Sequence, residues 1–179
     1  MPRVPVSSLR TLYDSKRLDG ERLRARLQSV ESLATGLATG QARAVLRALA
    51  PRDPARPIAL YAGLLAEPYD CLRDPHVRVV SGFFGPIERM ARAAGLAVEF
   101  LPADFNGFER LTYELRPRAI AALVTPPDDD GYCSFGAHAG ATAGPFLQAA
   151  RDPERLAIDR KSTRLNSSHS RASRMPSSA

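Results

Sequence analysis

The chain has 179 residues, of which 25 are Lys or Arg and 19 are Asp or Glu, giving a formal net charge of +6 and a pI near 9.9. It contains no run of about 18 apolar residues, which excludes an apolar membrane helix, and its opening MPRVPV lacks the apolar core of roughly 7–15 residues that a secretory signal requires. Its two cysteines, Cys71 and Cys133, stand far apart with no partner at metal-ligand spacing, which excludes a disulfide framework and fits a reducing cytoplasm.

Leu9, Leu12 and Tyr13, then Leu23, Leu27, Val30 and Leu33, recur at spacings of three and four and predict a helical beginning. A turn at 34–41, with two glycines, is expected to open a helix over 42–50, which Pro51, Pro54 and Pro57 end. The apolar run at 58–65 suits a buried strand. From there the chain alternates: a strand at 77–80, a helix at 85–94 with Ile87, Met90, Ala91 and Ala94 on one face, and a strand at 97–101. A helix marked by Phe108, Leu111 and Leu115 follows, then a strand at 119–124, a helix around 145–150 and a strand starting at Leu156. Short strands alternating with helices of about ten residues predict an α/β domain with a mostly parallel sheet covered on both faces.

The last residues have another character. DRKSTRLNSSH (159–169) is one reading frame of a widely used sequencing adapter, and SRMPSSA (173–179) continues the same adapter in frame after three intervening residues. The segment 159–179 is therefore expected to be a non-native, disordered tail, and 1–158 the domain to be interpreted. The tail holds five of the arginines and lysines against the single Asp159, leaving 20 basic and 18 acidic residues in 1–158. A net +2 without a basic stripe argues against nucleic acid as a partner.

Ligands of open parallel sheets gather at the carboxyl ends of the strands, so the loops after the apolar runs hold the candidate chemistry. The loop 35–41 carries Gly36 and Gly40 before a helix, where backbone N–H groups can meet an anion or a developing oxyanion; a turn that needs glycine conformations reads the same way. The loop 81–86 joins Gly82 and Gly85 with Phe83 and Phe84, which are either walls of an acyl pocket or core. The loop VTPPDDDGYCSFG (124–136) holds Asp128, Asp129 and Asp130. Three consecutive acids among Pro and Gly are ordinary solvated turn residues, and no metal is expected. Cys133 with His138 offers a thiol nucleophile and base, set against a small buried cysteine beside an incidental histidine.

In chain order, SGFFGPIER (81–89), FLPADF (100–105), PPDDDGYCS (126–134) and HAGAT (138–142) together resemble the N-terminal half of the acetyl-CoA hydrolase/CoA-transferase family, which includes acetate and 4-hydroxybutyrate CoA-transferases. The third piece is similar to that family's SPPDxxGYxSLG loop. The similarity runs over about 29–158, with Ala42 where the family has a proline and with no first strand evident between Val30 and Gly36.

The resemblance implies a cytoplasmic enzyme of acetate metabolism, with coenzyme A as substrate or product, acyl-CoA and a short-chain carboxylate as partners, no metal, no membrane association and a homo-oligomeric full-length protein. It implies a glutamyl-CoA thioester formed on a glutamate in the family's second half, beyond this chain, so no catalytic residue is assigned here and the chain alone is expected to be inactive. Gly36, Gly40, Gly82, Phe83, Phe84, Pro127, Asp128, Gly131, Ser134 and Gly136 would line one wall of the substrate pocket. The alternatives are a stand-alone nucleotide- or CoA-binding Rossmann-like module and a Cys133/His138 hydrolase.

Overall fold

A computed structural model describes residues 11, 13–128, 132–136, 139–161 and 175–176. Six strands form one parallel sheet: β1 (Ser32–Thr35), β2 (Ile58–Ala62), β3 (Val77–Ser81), β4 (Val98–Phe100), β5 (Ala119–Val124) and β7 (Leu156–Lys161), in the order β4-β3-β2-β1-β5-β7. β6 (Tyr132–Cys133) pairs antiparallel with β8 (Met175–Pro176) in a separate two-stranded ribbon. The helices are α1 (Gly20–Gln28), α2 (Arg43–Ala48), α3 (Pro86–Ala93), α4 (Phe105–Leu115) and α5 (Ala143–Ala150). The α/β architecture with a parallel sheet is thus the one the alternation predicts. Among the described residues, no helix is long and apolar enough to cross a membrane.

The central strands have to be apolar on both sides because helices cover both sides. In β1, Leu33 joins the cluster built on α1, α2 and α3, whereas Ala34 joins the opposite cluster around Phe146 and Ala149 of α5. β5 alternates in the same way, Ala119 and Ala121 to the first face and Ile120, Ala122 and Val124 to the second. Leu27, Leu33, Leu46 and Leu60 are each at most 1% exposed. Each such leucine contributes about 2 kcal/mol by leaving water.

The beginning of the chain departs from the expected single helical pattern. α1 starts at its N-cap Asp19, whose side chain accepts the Arg22 N–H at 2.8 Å, and it ends at Gln28. Its last carbonyls are capped from a distance by Arg52, whose Nη1 donates to Leu27 O at 2.7 Å and whose Nη2 donates to Val30 O at 2.6 Å and Gln28 O at 3.4 Å. Released from the helix, Leu33 lies in β1, one of the two central strands of the sheet and the one that was not evident in the sequence. Three-residue spacing from Val30 imitates a helix here, because both residues are buried for different reasons.

The buried face of α3 also differs from expectation. Glu88 and Ala91 are buried and Ile87 is partly so, while Met90 is 53% exposed. Apolar periodicity cannot register a carboxylate whose burial is compensated by hydrogen bonds.

β7 runs beyond Ile158 to Lys161, pairing in register with β5 as far as Val124↔Lys161. A ladder needs only main-chain groups, so three residues assigned to the tail extend it whatever their side chains. The remaining tail, 162–174 and 177–179, to which the expected disorder refers, lies outside the described residues.

Candidate functional site

The chain runs outward from β1 through β2 and β3 to β4, then returns to place β5 on the other side of β1. The strand order therefore reverses between β1 and β5, and a crevice for ligand opens beyond the carboxyl ends at such a reversal. Gly36 leaves the end of β1 with its N–H donating to Ala121 O of β5 at 3.2 Å. The loops 36–41 and 125–136 accordingly flank the reversal point, and 81–86 lies two strands away, after β3.

The first turn is tight because Gly36 lacks a side chain. A Cβ there would stand 2.4 Å from Gly40 O, while the Gly40 N–H closes the turn on Leu37 O at 2.8 Å. Between them Ala38 has φ +43°, a left-handed conformation uncommon outside glycine. Gly36 and Gly40 thus serve a backbone contact, and Gly40 is buried.

The second loop is organised by Glu88, which is wholly buried. Its Oε1 accepts the Leu65 N–H at 2.8 Å and the Ser81 hydroxyl at 3.2 Å, and its Oε2 accepts the Gly85 N–H at 3.0 Å. Pro86 at the first helical position and Glu88 at the third explain why SGFFGPIE takes this form: the carboxylate caps α3 and fastens the loop after β2 to the loop after β3. A Cβ on Gly82 would lie 2.3 Å from Phe108 Cδ2.

Phe83 and Phe84 diverge. Phe83 packs between Phe105 and Phe108, with ring centroids 6.3 and 5.8 Å away, whereas Phe84 stacks on Phe100 at 4.7 Å and 18° on the other face. Both are half-buried.

A second buried polar side chain, Gln41, continues this fastening. Its Nε2 donates to Gly63 O at 3.2 Å and Leu64 O at 3.4 Å, and its Oε1 accepts the Ala66 N–H at 3.0 Å and the Tyr69 hydroxyl at 3.1 Å. Burial, reinforced by the nearby Glu67 carboxylate, raises the Tyr69 pKa well above its ordinary value, so the phenol keeps the proton it donates. Gln41 and Glu88 together join the loops after β1, β2 and β3. Gln41 carries no local sequence signal for this role; Glu88 does, standing three residues after Gly85 and two after Pro86, a helix-start pattern.

The third loop closes on itself. Thr125 N–H donates to Ser134 O at 2.8 Å and Ser134 N–H to Thr125 Oγ1 at 2.9 Å. Asp128 N–H donates to Tyr132 O at 2.9 Å, and Asp128 Oδ1 accepts the Tyr132 N–H at 2.9 Å. Gly136, at φ +63°, donates to Ser134 Oγ at 3.2 Å. Pro127 is half-buried beside the exposed Asp128. Cys133 is buried in the cluster of Phe135 and Phe146. Asp129, Asp130, Gly131 and His138 lie outside the described residues, so the expected pocket role of Gly131 and the Cys133/His138 pairing have no geometry here.

One small cluster unites the edge: Leu37 of the first loop, Phe83 of the second, Ala141 after the third, and Ala103 and Phe108 of the α4 region. Among the described residues, two buried hydroxyls, Thr35 Oγ1 at the end of β1 and Thr142 Oγ1 at the start of α5, make no hydrogen bond.

RipA from Yersinia pestis superposes with a TM-score of 0.67 at 23% identity over 83% of this chain and 37% of that one. A RipA variant gives 0.68 at 22% identity with the same coverage. A 4-hydroxybutyrate CoA-transferase from Porphyromonas gingivalis gives 0.47 at 16% identity over 76% of this chain and 32% of that one, too distant to carry an argument. No protein-family model and no curated protein matches the chain. Likeness at these identities shows the fold alone, an α/β fold with a parallel sheet like that of RipA. The chain spans little more than a third of the length of the RipA structures it matches, 37%.

Proposed function

We propose that this chain is the N-terminal α/β half of an enzyme that transfers CoA between an acyl-CoA and a short-chain carboxylate, or hydrolyses the acyl-CoA. The observation that supports the reading is the placement of three motif loops at one carboxyl edge of a parallel α/β sheet, with two of them flanking the strand-order reversal. In this reading a glutamate outside the chain attacks the thioester carbonyl, giving an acyl-glutamyl anhydride and CoA thiolate. The thiolate then attacks the glutamyl carbonyl, releasing the first carboxylate and leaving a glutamyl-CoA thioester, which an acceptor carboxylate or water resolves. Glu88 is not that nucleophile: it is sealed from solvent with both oxygens engaged by Leu65, Ser81 and Gly85.

This half would supply one wall of the acyl and acceptor pocket, with CoA as substrate and product, in a cytoplasmic protein. The 159–179 segment is read as foreign to it. The test is to read the coding frame past Ile158, express the full-length protein and assay acyl-CoA against a panel of short carboxylates. Exchange or hydrolysis, with a borohydride-sensitive glutamyl thioester, supports the reading. A native frame that ends within 159–179, in a protein that binds CoA or a nucleotide without turnover, supports a stand-alone binding module instead.

A further inference from the structure

Gln41 is wholly buried, and every hydrogen-bonding position of its amide is filled. An amide side chain offers two N–H groups and two lone pairs. Here the N–H groups go to Gly63 O and Leu64 O, and the oxygen takes the Ala66 N–H and the Tyr69 hydroxyl. The segment 63–66 is held from its other side as well: Leu64 N–H donates to Phe83 O at 3.1 Å and Leu65 N–H to Glu88 Oε1. Held in this way, Leu64 keeps φ +47°, a left-handed conformation uncommon outside glycine.

Side-chain packing carries this constraint onward. Gly63 lies between Leu37 and Phe83, and a Cβ on it would stand 2.9 Å from Leu37 Cδ2 and 3.2 Å from Phe83 Cδ2. Leu37 and Phe83 in turn belong to the cluster that includes Ala141, after the third loop. Where 63–66 sits therefore fixes where the first and second loops sit, and their cluster reaches the third. An apolar side chain of the same volume would fill the space at 41 and let these loops slide, whereas a fully bonded amide admits one register.

We propose that Gln41 is a positioning residue for the acyl-CoA reaction, an inference that rests on the reading above. Its buried amide touches no substrate; it holds the loops of the carboxyl edge in the one register that turnover requires.

The experiment puts a carboxyl group in the place of the amide, with Gln41→Glu in the full-length protein. Protonated, the carboxyl keeps one donor toward Gly63 O or Leu64 O; ionised, it keeps none and sets a negative charge against both carbonyls. The ionisable groups around position 41 are Tyr69, which bonds to it, then Glu67, Arg43, Arg47 and Cys71, which act on Tyr69, and Glu88 across the 63–66 segment. All of these are shared with wild type, so the ratio of variant to wild-type kcat isolates the new carboxyl, whose pKa burial raises. That ratio is expected to fall at least about tenfold from about pH 5 to about pH 8, with KM within about twofold of wild type. Circular dichroism at each pH gives the folded fraction, and the loss is expected per folded molecule. A ratio independent of pH, or a loss that follows the folded fraction, overturns the positioning role and leaves the acyl-CoA reading intact. If Gln41→Glu does not fold, Tyr69→Phe removes one of the four bonds at nearly constant volume: a lowered kcat at unchanged KM supports the role, and an unchanged kcat overturns it. Absence of any acyl-CoA turnover in the wild-type full-length protein overturns that reading, and this inference with it.

Discussion

The buried carboxylate of Glu88 accepts the backbone N–H of Leu65 across 2.8 Å, joining a helix start to the loop of a neighbouring strand. With the Gly85 N–H on its other oxygen, both oxygens face donors, and an amide cannot replace both. Glu88→Gln turns an NH2 group toward one of these N–H groups and is expected to lower stability by about 2 kcal/mol; Glu88→Ala, which leaves the donors unpaired, by about 3 kcal/mol. Urea denaturation of the 179-residue chain measures both. Equal stability of Glu88→Gln and wild type would mean that the hydrogen bonds do not hold these loops.

Arg52 is 5% exposed and satisfies carbonyls of Leu27, Gln28, Val30 and Arg56. Burial lowers its pKa below the ordinary value, opposed by Asp53 and Asp74. Arg52→Met keeps most of the volume and removes the donors, so it should cost about 2–3 kcal/mol through carbonyls left without partners. Arg52→Lys should recover less than half of that, since one ammonium cannot reproduce the planar fork. Circular dichroism during denaturant unfolding gives both numbers.

The strands were legible because they are encoded locally: AIAALV at 119–124 is apolar along its whole length, and β5 occupies those residues. β1 was not, since Ser32–Thr35 is four residues long and begins just after a helix whose apolar spacing it continues. The three candidate loops were visible from Gly, Pro and Asp, and the sheet brings them to one edge. What sequence could not supply was the long-range fastening: Gln41 acts on residues 22–28 positions away, and Leu64 carries no composition signal for a positive φ. Such roles depend on which loops the strand order makes neighbours.

Gly36 and Gly82 both lack room for a methyl group, against different neighbours. The obstacle at Gly36 is the carbonyl of Gly40 at 2.4 Å, which is backbone within the same turn, whereas at Gly82 it is the ring of Phe108 at 2.3 Å. A ring can rotate and shift within its cluster; a carbonyl moves only with its turn. Gly36→Ala is therefore expected to cost about 3 kcal/mol and Gly82→Ala about 1–2 kcal/mol. Thermal unfolding of the two variants side by side checks the order, which is the informative quantity. Gly82→Ala emerging as the more damaging would show that the Phe108 cluster is the more rigid of the two.

Cys71 is fully buried, and burial pushes its pKa from the ordinary 9.0 up to about 12. Between those values the native state keeps the thiol proton and the unfolded chain releases it, so stability falls as pH rises through that window. One group contributes a slope of at most about 1.4 kcal/mol per pH unit. Tyr69 acts in the same direction from its ordinary value of 10.0 upward, because its burial also raises the pKa. The Tyr69 contribution begins about one unit higher, which separates the two. Cys71→Ala should remove the decline between pH 9 and 10 and leave the part above pH 10. Denaturation midpoints at half-unit intervals from pH 8 to 11 measure this, and the native thiol should react with an aromatic disulfide reagent at pH 8 only as fast as the chain opens. Rapid stoichiometric labelling of folded protein at Cys71 would contradict the burial on which the pH argument depends.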